Sequence, residues 1–275
     1  MSRIVLAMFM MLALAGSASS FAQVTMIDQN VVRDEGGFPF KIKKPGSYKL
    51  TGNLTVPRNT DGIVVMADHV TINLNGFSIL GPVACTTNDM TGAAVCPTGG
   101  QGIGIKSGDT TGATPGTLDL KISNGSVHGM GSFGIFATGE GAVMEEVSAD
   151  GNAGGGFIVA GSVLMSSATG NGGVGVLALV IRESRVTGNT TDGIDVDGAG
   201  GVAIGNTSSF NGRAGMNLPN GVANNNTIVR NNGVGIVAKC PAVVTGNVIV
   251  NNVGGTLTMD GGDCAVVNNA TLPQI

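Results

Sequence analysis

Three aspartates crowd one short stretch of the chain. Asp192, Asp195 and Asp197 fall within residues 188–197, which read Gly-Asn-Thr-Thr-Asp-Gly-Ile-Asp-Val-Asp. If Ile194 and Val196 face a core, Asp195 and Asp197 stand on the opposite face of a strand, about 6.5–7 Å apart. That separation suits an inverting glycosidase, whose acid and base are held roughly 6.5–9.5 Å apart. With Asp192 added, the same carboxylates could instead share a Ca²⁺, a hard cation that takes oxygen ligands. The plain alternative is a pair of solvated carboxylates on an exposed strand. No other cofactor is implied.

The elements that must carry these residues repeat along the second half of the chain. A glycine followed by an apolar residue recurs at Gly134, Gly156, Gly175, Gly193, Gly215 and Gly235, at spacings of 22, 19, 18, 22 and 20. An asparagine precedes five of these glycines by four residues: Asn152, Asn171, Asn189, Asn211 and Asn231. A further copy around Asn251, Asn252 and Gly255 is out of step by one. A period near 20 made of short strands and turn residues signals a solenoid. The fixed leucines of leucine-rich repeats are missing, and helical repeats need longer units, so each repeat is read as one coil of a parallel β-helix. Coils stacked about 4.8 Å apart bring equivalent residues into register. The asparagines then form an amide ladder along a turn, and the glycines are expected to supply positive φ there.

The register predicts what surrounds the aspartates. The outward positions of the preceding coils are Phe136 and Thr138, Ile158 and Ala160, Leu177 and Leu179. The following coils place Asn217 and Pro219, then Val237 and Lys239, so Asn217 and Lys239 are the candidate binding residues beside the pair. An apolar stripe spanning three coils is unusual on a soluble monomer. The N-terminal segment or the 82–100 loop is the expected cover; otherwise the stripe is a surface for self-association or a protein partner.

Earlier in the chain the pattern is less regular. Residues 70–75 alternate with period two, Val70, Ile72 and Leu74 on one face. Residues 82–100 and 107–116 break the period and read as loop insertions. Residues 23–47 are expected to cap the solenoid, which then runs over 48–275 in about nine or ten coils of about 20 residues. Residues 1–22 have the pattern of an export signal, with Arg3, an apolar run 4–15 and Ser20-Phe21-Ala22 before the cleavage point. That run is shorter than the roughly 20 residues a membrane span needs. No span is therefore expected after cleavage, and the expected location is periplasmic or secreted.

Composition narrows the function classes. The 275 residues include 47 Gly, no Trp and one Tyr, which suits short strands and tight turns rather than disorder. The net charge is −4, with no clustered basic face of the kind nucleic acid demands. Four cysteines in an exported chain suggest two disulfides. Three pairings exist; the one preferred is Cys85 with Cys96 and Cys240 with Cys264, each joining neighbours in sequence. His69 and His128 lie far apart in sequence and are not expected to form a site.

With the repeat in place, the chain resembles the right-handed parallel β-helix proteins of the pectate-lyase-like superfamily. More narrowly, it is similar to exported bacterial β-helix repeat-containing proteins. Residues 68–77, residues 123–129 (Ser-Asn-Gly-Ser-Val-His-Gly) and the Asn-x-x-x-Gly copies carry the resemblance. It implies an all-β, single-stranded solenoid. It does not fix an activity, because the superfamily holds lyases, hydrolases, epimerases, esterases and plain binding proteins. Residues 189–192 also resemble the Asn-Thr-Asp segment of polygalacturonases, with Thr191 inserted. Gly261-Gly262-Asp263-Cys264 resembles their Gly-Asp-Asp-Cys segment with one Asp replaced. Two readings follow. One is a non-catalytic scaffold that binds a polysaccharide or a protein surface. The other is a polysaccharide-active enzyme using Asp192, Asp195 and Asp197.

Overall fold

A computed structural model of the protein describes residues 23–272. The expected export signal over 1–22 lies outside them. Among the described residues, no helix is long and apolar enough to cross a membrane.

The strands are short because each coil must turn three corners within about 22 residues. Three parallel sheets result. Sheet 1 includes Ile63–Val65, Ile105–Ser107, Ile194–Val196, Met216–Pro219 and Ile236–Lys239. Sheet 2 includes Val70–Asn73, Val202–Ile204 and Val222–Asn224. Sheet 3 includes Ser78–Leu80, Ser167–Thr169, Arg185–Thr187 and Thr207–Ser209. Alternation does the sorting: Ile194 and Val196 are buried, with Asp195 between them only half-buried. The inward residues form one continuous apolar core along the axis.

The solenoid has about eleven turns rather than the nine or ten expected from Tyr48 onward. The difference lies at the N-terminus. Thr25–Ile27 pairs with Gly46–Leu50, and Phe40–Ile42 pairs with Ile63–Val65, both in parallel. These first strands have only three residues each, too few for alternation to show in sequence. Between them runs the helix Gln29–Asp34, whose Val32 is buried against the end of the core. Asp28 starts that helix by accepting from the amides of Asn30 and Val31, at 2.8 and 3.0 Å.

Both disulfides form as expected, Cys85 with Cys96 and Cys240 with Cys264. The first closes the 82–100 insertion, which contains the antiparallel pair Thr86–Thr87 and Ala94–Val95. The second ties the ends of the last two coils. In the 107–116 insertion, the Asp109 carboxylate accepts from the amides of Thr111, Ala113 and Thr114.

The asparagine ladder is present and takes in the out-of-step copy through Asn252. It runs through Asn152, Asn171, Asn189, Asn211, Asn231 and Asn252, all buried, each amide nitrogen donating to the next Oδ1 at 2.9 Å. Its glycines, however, do not work as expected. Gly175, Gly193 and Gly215 are absent from the positive-φ residues. They are glycines because the next coil leaves no room: a Cβ on Gly193 would lie 2.2 Å from Ser208 Oγ and 2.5 Å from Asn211 Nδ2. The last coil fits this account. Thr256 stands in the glycine's place after Asn252, where no described coil follows.

A second ladder lines the corner between sheets 2 and 3. Asn206, Asn226, Asn247 and Asn269 are linked amide to Oδ1 at 2.9 Å. Ser184 and Ser166 continue it toward the N-terminus through their hydroxyl groups.

Candidate functional site

Sheet 1 presents the candidate residues in the register expected. Phe136, Ile158, Leu177, Asp195, Asn217 and Val237 lie side by side on successive coils. Lys41, Val64 and Lys106 extend the row toward the N-terminus. The face therefore runs from cationic through apolar to acidic and amide.

Asp195 is the carboxylate this face holds. Its Oδ1 accepts from Asn217 Nδ2 at 2.5 Å on the adjoining strand. Burial pushes its pKa up. The Asn217 bond opposes that shift, the charge of Asp192 adds to it, and Arg213 opposes it. A raised carboxylate pKa means the folded state holds the proton more tightly than the unfolded chain does. The resulting stabilisation is fully present below the unfolded value of 3.8 and is lost as pH rises through the folded value. Asp195→Asn, which keeps an oxygen for Asn217, should therefore be more stable than wild type at neutral pH. The gap should close on acidification below 3.8. Urea titrations across pH will measure it; a variant less stable than wild type at neutral pH would contradict the assignment.

The other two aspartates part company with Asp195. Asp197 lies just past the strand end and is exposed, its amide donating to Ala178 O at 2.9 Å. Asp192 is buried, and its Oδ1 accepts the Ala214 amide at 2.9 Å, with Arg213 Nη1 3.7 Å from Oδ2. Asp61 does the same work five coils earlier: it precedes Gly62 as Asp192 precedes Gly193, and it accepts the Ile103 amide at 2.8 Å. Asp192 thus braces a turn. Asp263 stands three coils beyond, roughly 14 Å along the axis, and does not join it.

Asn217 and Lys239 do come together. They line a shallow depression of about 220 Å³ with Pro219, Val237 and Asp260. Lys239 sits two coils from Asp195, about 10 Å along the axis.

The apolar stripe is not covered in the way expected. Residues 82–100 lie against the corner after sheet 3, where Val83 and Ala94 donate to Gly129 O and Gly188 O at 2.8 and 2.7 Å. The N-terminal segment pairs into the end of the solenoid instead of folding over its side. Phe136 is buried, beside Phe133 at 5.7 Å between ring centroids. Ile158 and Leu177 are half-buried, and Leu179 is 42% exposed.

One cluster escaped the sequence reading. His128 and Asp150 are register partners on sheet 3, with Nδ1 3.4 Å from Oδ2. Burial raises the pKa of Asp150, opposed by His128 and Thr169, and its buried Oδ1 has no hydrogen-bond partner among the described residues. The signal was available: each residue precedes its coil's glycine, Gly134 or Gly156, by six. Among the described residues, no group of three or more His, Cys, Asp or Glu is placed to hold a metal ion.

Stacked coils, buried amide ladders and a single side-chain row across sheet 1 define the class as parallel β-helix proteins. The chain belongs to the right-handed β-helix region family, whose sequence profile matches residues 101–271. The mannuronan C-5 epimerase AlgE4 A-module of Azotobacter vinelandii is similar in structure, with 14% identity and a TM-score of 0.58 over 90% of this chain and 84% of that one. The periplasmic alginate epimerase AlgG is similar at 16% identity, with a TM-score of 0.48 over 84% of this chain and 76% of that one. The Dettilon tailspike protein is similar at 12% identity, with a TM-score of 0.38 over 90% and 60% of the two chains. At such identities the likeness is one of fold alone. No protein of curated function matches the sequence.

Proposed function

We propose that this is an exported scaffold that binds a polysaccharide along the face of sheet 1 without turning it over. One observation carries the reading. Asp195 is the only aspartate of the trio held half-buried on the open face, and its directed partner is an amide, Asn217. Asp192 is committed to a turn and Asp197 stands in solvent, so the acid–base pair of a glycosidase is not assembled. The adjoining Leu177 and Leu179 offer an apolar platform, and Lys239 a cation, along one line of coils. The fold is shared with a module named for action on mannuronan, which favours a polysaccharide as the ligand class. The two disulfides suit an oxidising compartment outside the cytoplasm.

The enzyme reading keeps one specific support: a carboxylate pKa raised by burial is how general acids are tuned. The two readings separate on a panel of neutral and acidic polysaccharides, assayed for binding by interferometry and for turnover by reducing ends, unsaturated uronate absorbance and NMR. Binding without turnover, weakened at least tenfold in both Leu177→Asp and Asp195→Ala, is expected. Turnover abolished by Asp195→Ala would replace the scaffold with an enzyme. If nothing on the panel binds and light scattering finds an oligomer that Leu177→Asp dissociates, the stripe is an interface between copies.

A further inference from the structure

The two ends of the solenoid leave bare what its sides bury. In the last coil, Leu257–Asp260, Ala265–Val267 and Ala270–Leu272 each pair with the coil before and with no other among the described residues, so three strand edges are free. Inward-pointing residues lose their cover there: Met259 is 51% exposed and Val266 40%, whereas their register partners Ala238 and Val244 are buried. At the other end the helix Gln29–Asp34 takes the place of sheet 3, with Gln29 Oε1 accepting the Thr55 amide at 2.8 Å. Beside it, Thr25–Ile27 and Phe40–Ile42 are each paired on one edge only among the described residues, and Val24 and Met26 are exposed. Solenoids stay soluble by capping their terminal repeats, and a free strand edge is a template for another chain.

The two ends match each other in register. The sheet 1 row that begins at Phe40 ends on Leu257. The sheet 2 row that begins at Thr25 ends on Val266. A second copy continuing both rows would set Leu257 beside Phe40, Met259 beside Ile42 and Val267 beside Met26. It would also set Asp260, which follows Met259, beside Lys43, which follows Ile42. Asp263 and Lys44 stand at that same corner, between sheets 1 and 2. All four charged residues are exposed, and none has a partner of opposite charge within 4.0 Å among the described residues. Thr256 stands in the glycine's place, which a coil bringing a ladder asparagine would not allow. The first coil brings none. Glu35 is the residue four before Pro39, and Pro39 itself holds the glycine's place while its strand pairs with Ile63–Val65.

We propose that the two ends form a head-to-tail interface, the last coil of one copy docking on the first coil of the next. Sheets 1 and 2 continue across the junction with parallel pairing, and Asp260 and Asp263 set the register against Lys43 and Lys44. The contact joins two different surfaces along a shared axis and does not close on itself, so it builds filaments and not dimers. Cleavage before Gln23 frees the first coil, so the inference rests on the export reading above and not on polysaccharide binding.

The sample is exported protein whose amino terminus is read by mass spectrometry. With Gln23 as that terminus, sedimentation velocity should give an average mass that rises with concentration. Negative-stain images should show filaments with an axial repeat of about 53 Å, eleven coils at roughly 4.8 Å. The pair Asp260→Lys with Asp263→Lys, and separately Lys43→Asp with Lys44→Asp, should each weaken association about tenfold or more at the wild-type Tm. Mixing the two double variants should restore filaments, because each altered end then meets its complement. A monomer at every concentration, a finite dimer, a doubled repeat from copies meeting last coil to last coil, or variants that fail to recover on mixing would each overturn the proposal. An exported protein that keeps Met1 would remove the export reading and this inference together, whereas failure to associate from a Gln23 terminus removes the inference alone.

Discussion

Asn211→Ala should cost about 4 kcal/mol of folding stability, at the upper end of what single substitutions do. Asn211 is fully buried and sits in the middle of the first ladder. Its Oδ1 accepts from the Asn189 amide at 3.0 Å and from Asn189 Nδ2 at 2.9 Å. Its Nδ2 donates to Asn231 Oδ1 at 2.9 Å and to Ser208 Oγ at 3.0 Å. Alanine removes both ends, leaving two buried donors on Asn189 with no acceptor, while Asn231 Oδ1 keeps only the residue-211 backbone amide at 3.1 Å. Each orphaned group costs about 1–3 kcal/mol, and partial relaxation keeps the total short of their sum. Asn269→Ala, at the half-exposed end of the second ladder, should cost about 1 kcal/mol or less, because water can reach the vacated groups. Guanidinium unfolding of both variants, with hydrogen exchange at the Asn189 amide, will test this. A cost under about 1 kcal/mol for Asn211→Ala would mean the ladder is decorative.

How much of this was legible follows from how strictly each feature repeats. The first ladder could be read because Asn stands four positions before Gly in five coils, and the core could be read because Ile194, Met216 and Ile236 follow those glycines. The second ladder was hidden. Asn206, Asn226 and Asn247 do each stand five residues before a first-ladder asparagine, but serine takes over at Ser184 and Ser166, so the residue type changes along the row. Strand pairing at the N-terminus was also hidden, because three-residue strands carry too little pattern.

The site was legible in place but not in detail. Alignment put Asp195 between Leu177 and Asn217, where the structure has it. What residue type alone could not separate was Asp192 from Asp195. One lies before the glycine and turns its carboxylate to a backbone amide of the next coil, while the other lies after it and faces outward. Asp61, in the same place before Gly62, was the internal precedent for the structural role. The His128–Asp150 pair shows up only in register, because in a solenoid a separation of 22 residues is one step to the neighbouring coil.

The ladder glycines yield the other large effect, and their mechanism sets them apart from the glycines of the corners. Gly215→Ala should destabilise by about 3 kcal/mol, because the new Cβ would stand 2.4 Å from Ile228 Cγ2, 2.6 Å from Asn231 Nδ2 and 2.8 Å from Gly235 O. The carbonyl belongs to the next coil's backbone, so relief requires either the coils to separate or the ladder amide to rotate away. Either move breaks hydrogen bonds that Asn211 and Asn231 share. Gly151→Ala is the informative contrast. Gly151 has φ of 59° but nothing within 4 Å of its Cβ position, so alanine there meets only the backbone penalty of about 1 kcal/mol. Thr256 occupies the ladder-glycine place in the last coil, consistent with a constraint imposed by the coil above and not by the glycine's own backbone. The measured order should be Gly215→Ala well beyond Gly151→Ala in loss of stability. If the corner substitution costs as much or more, these glycines are conformational after all, and close packing against the amide ladder is not what spaces Asn from Gly by four residues along the chain.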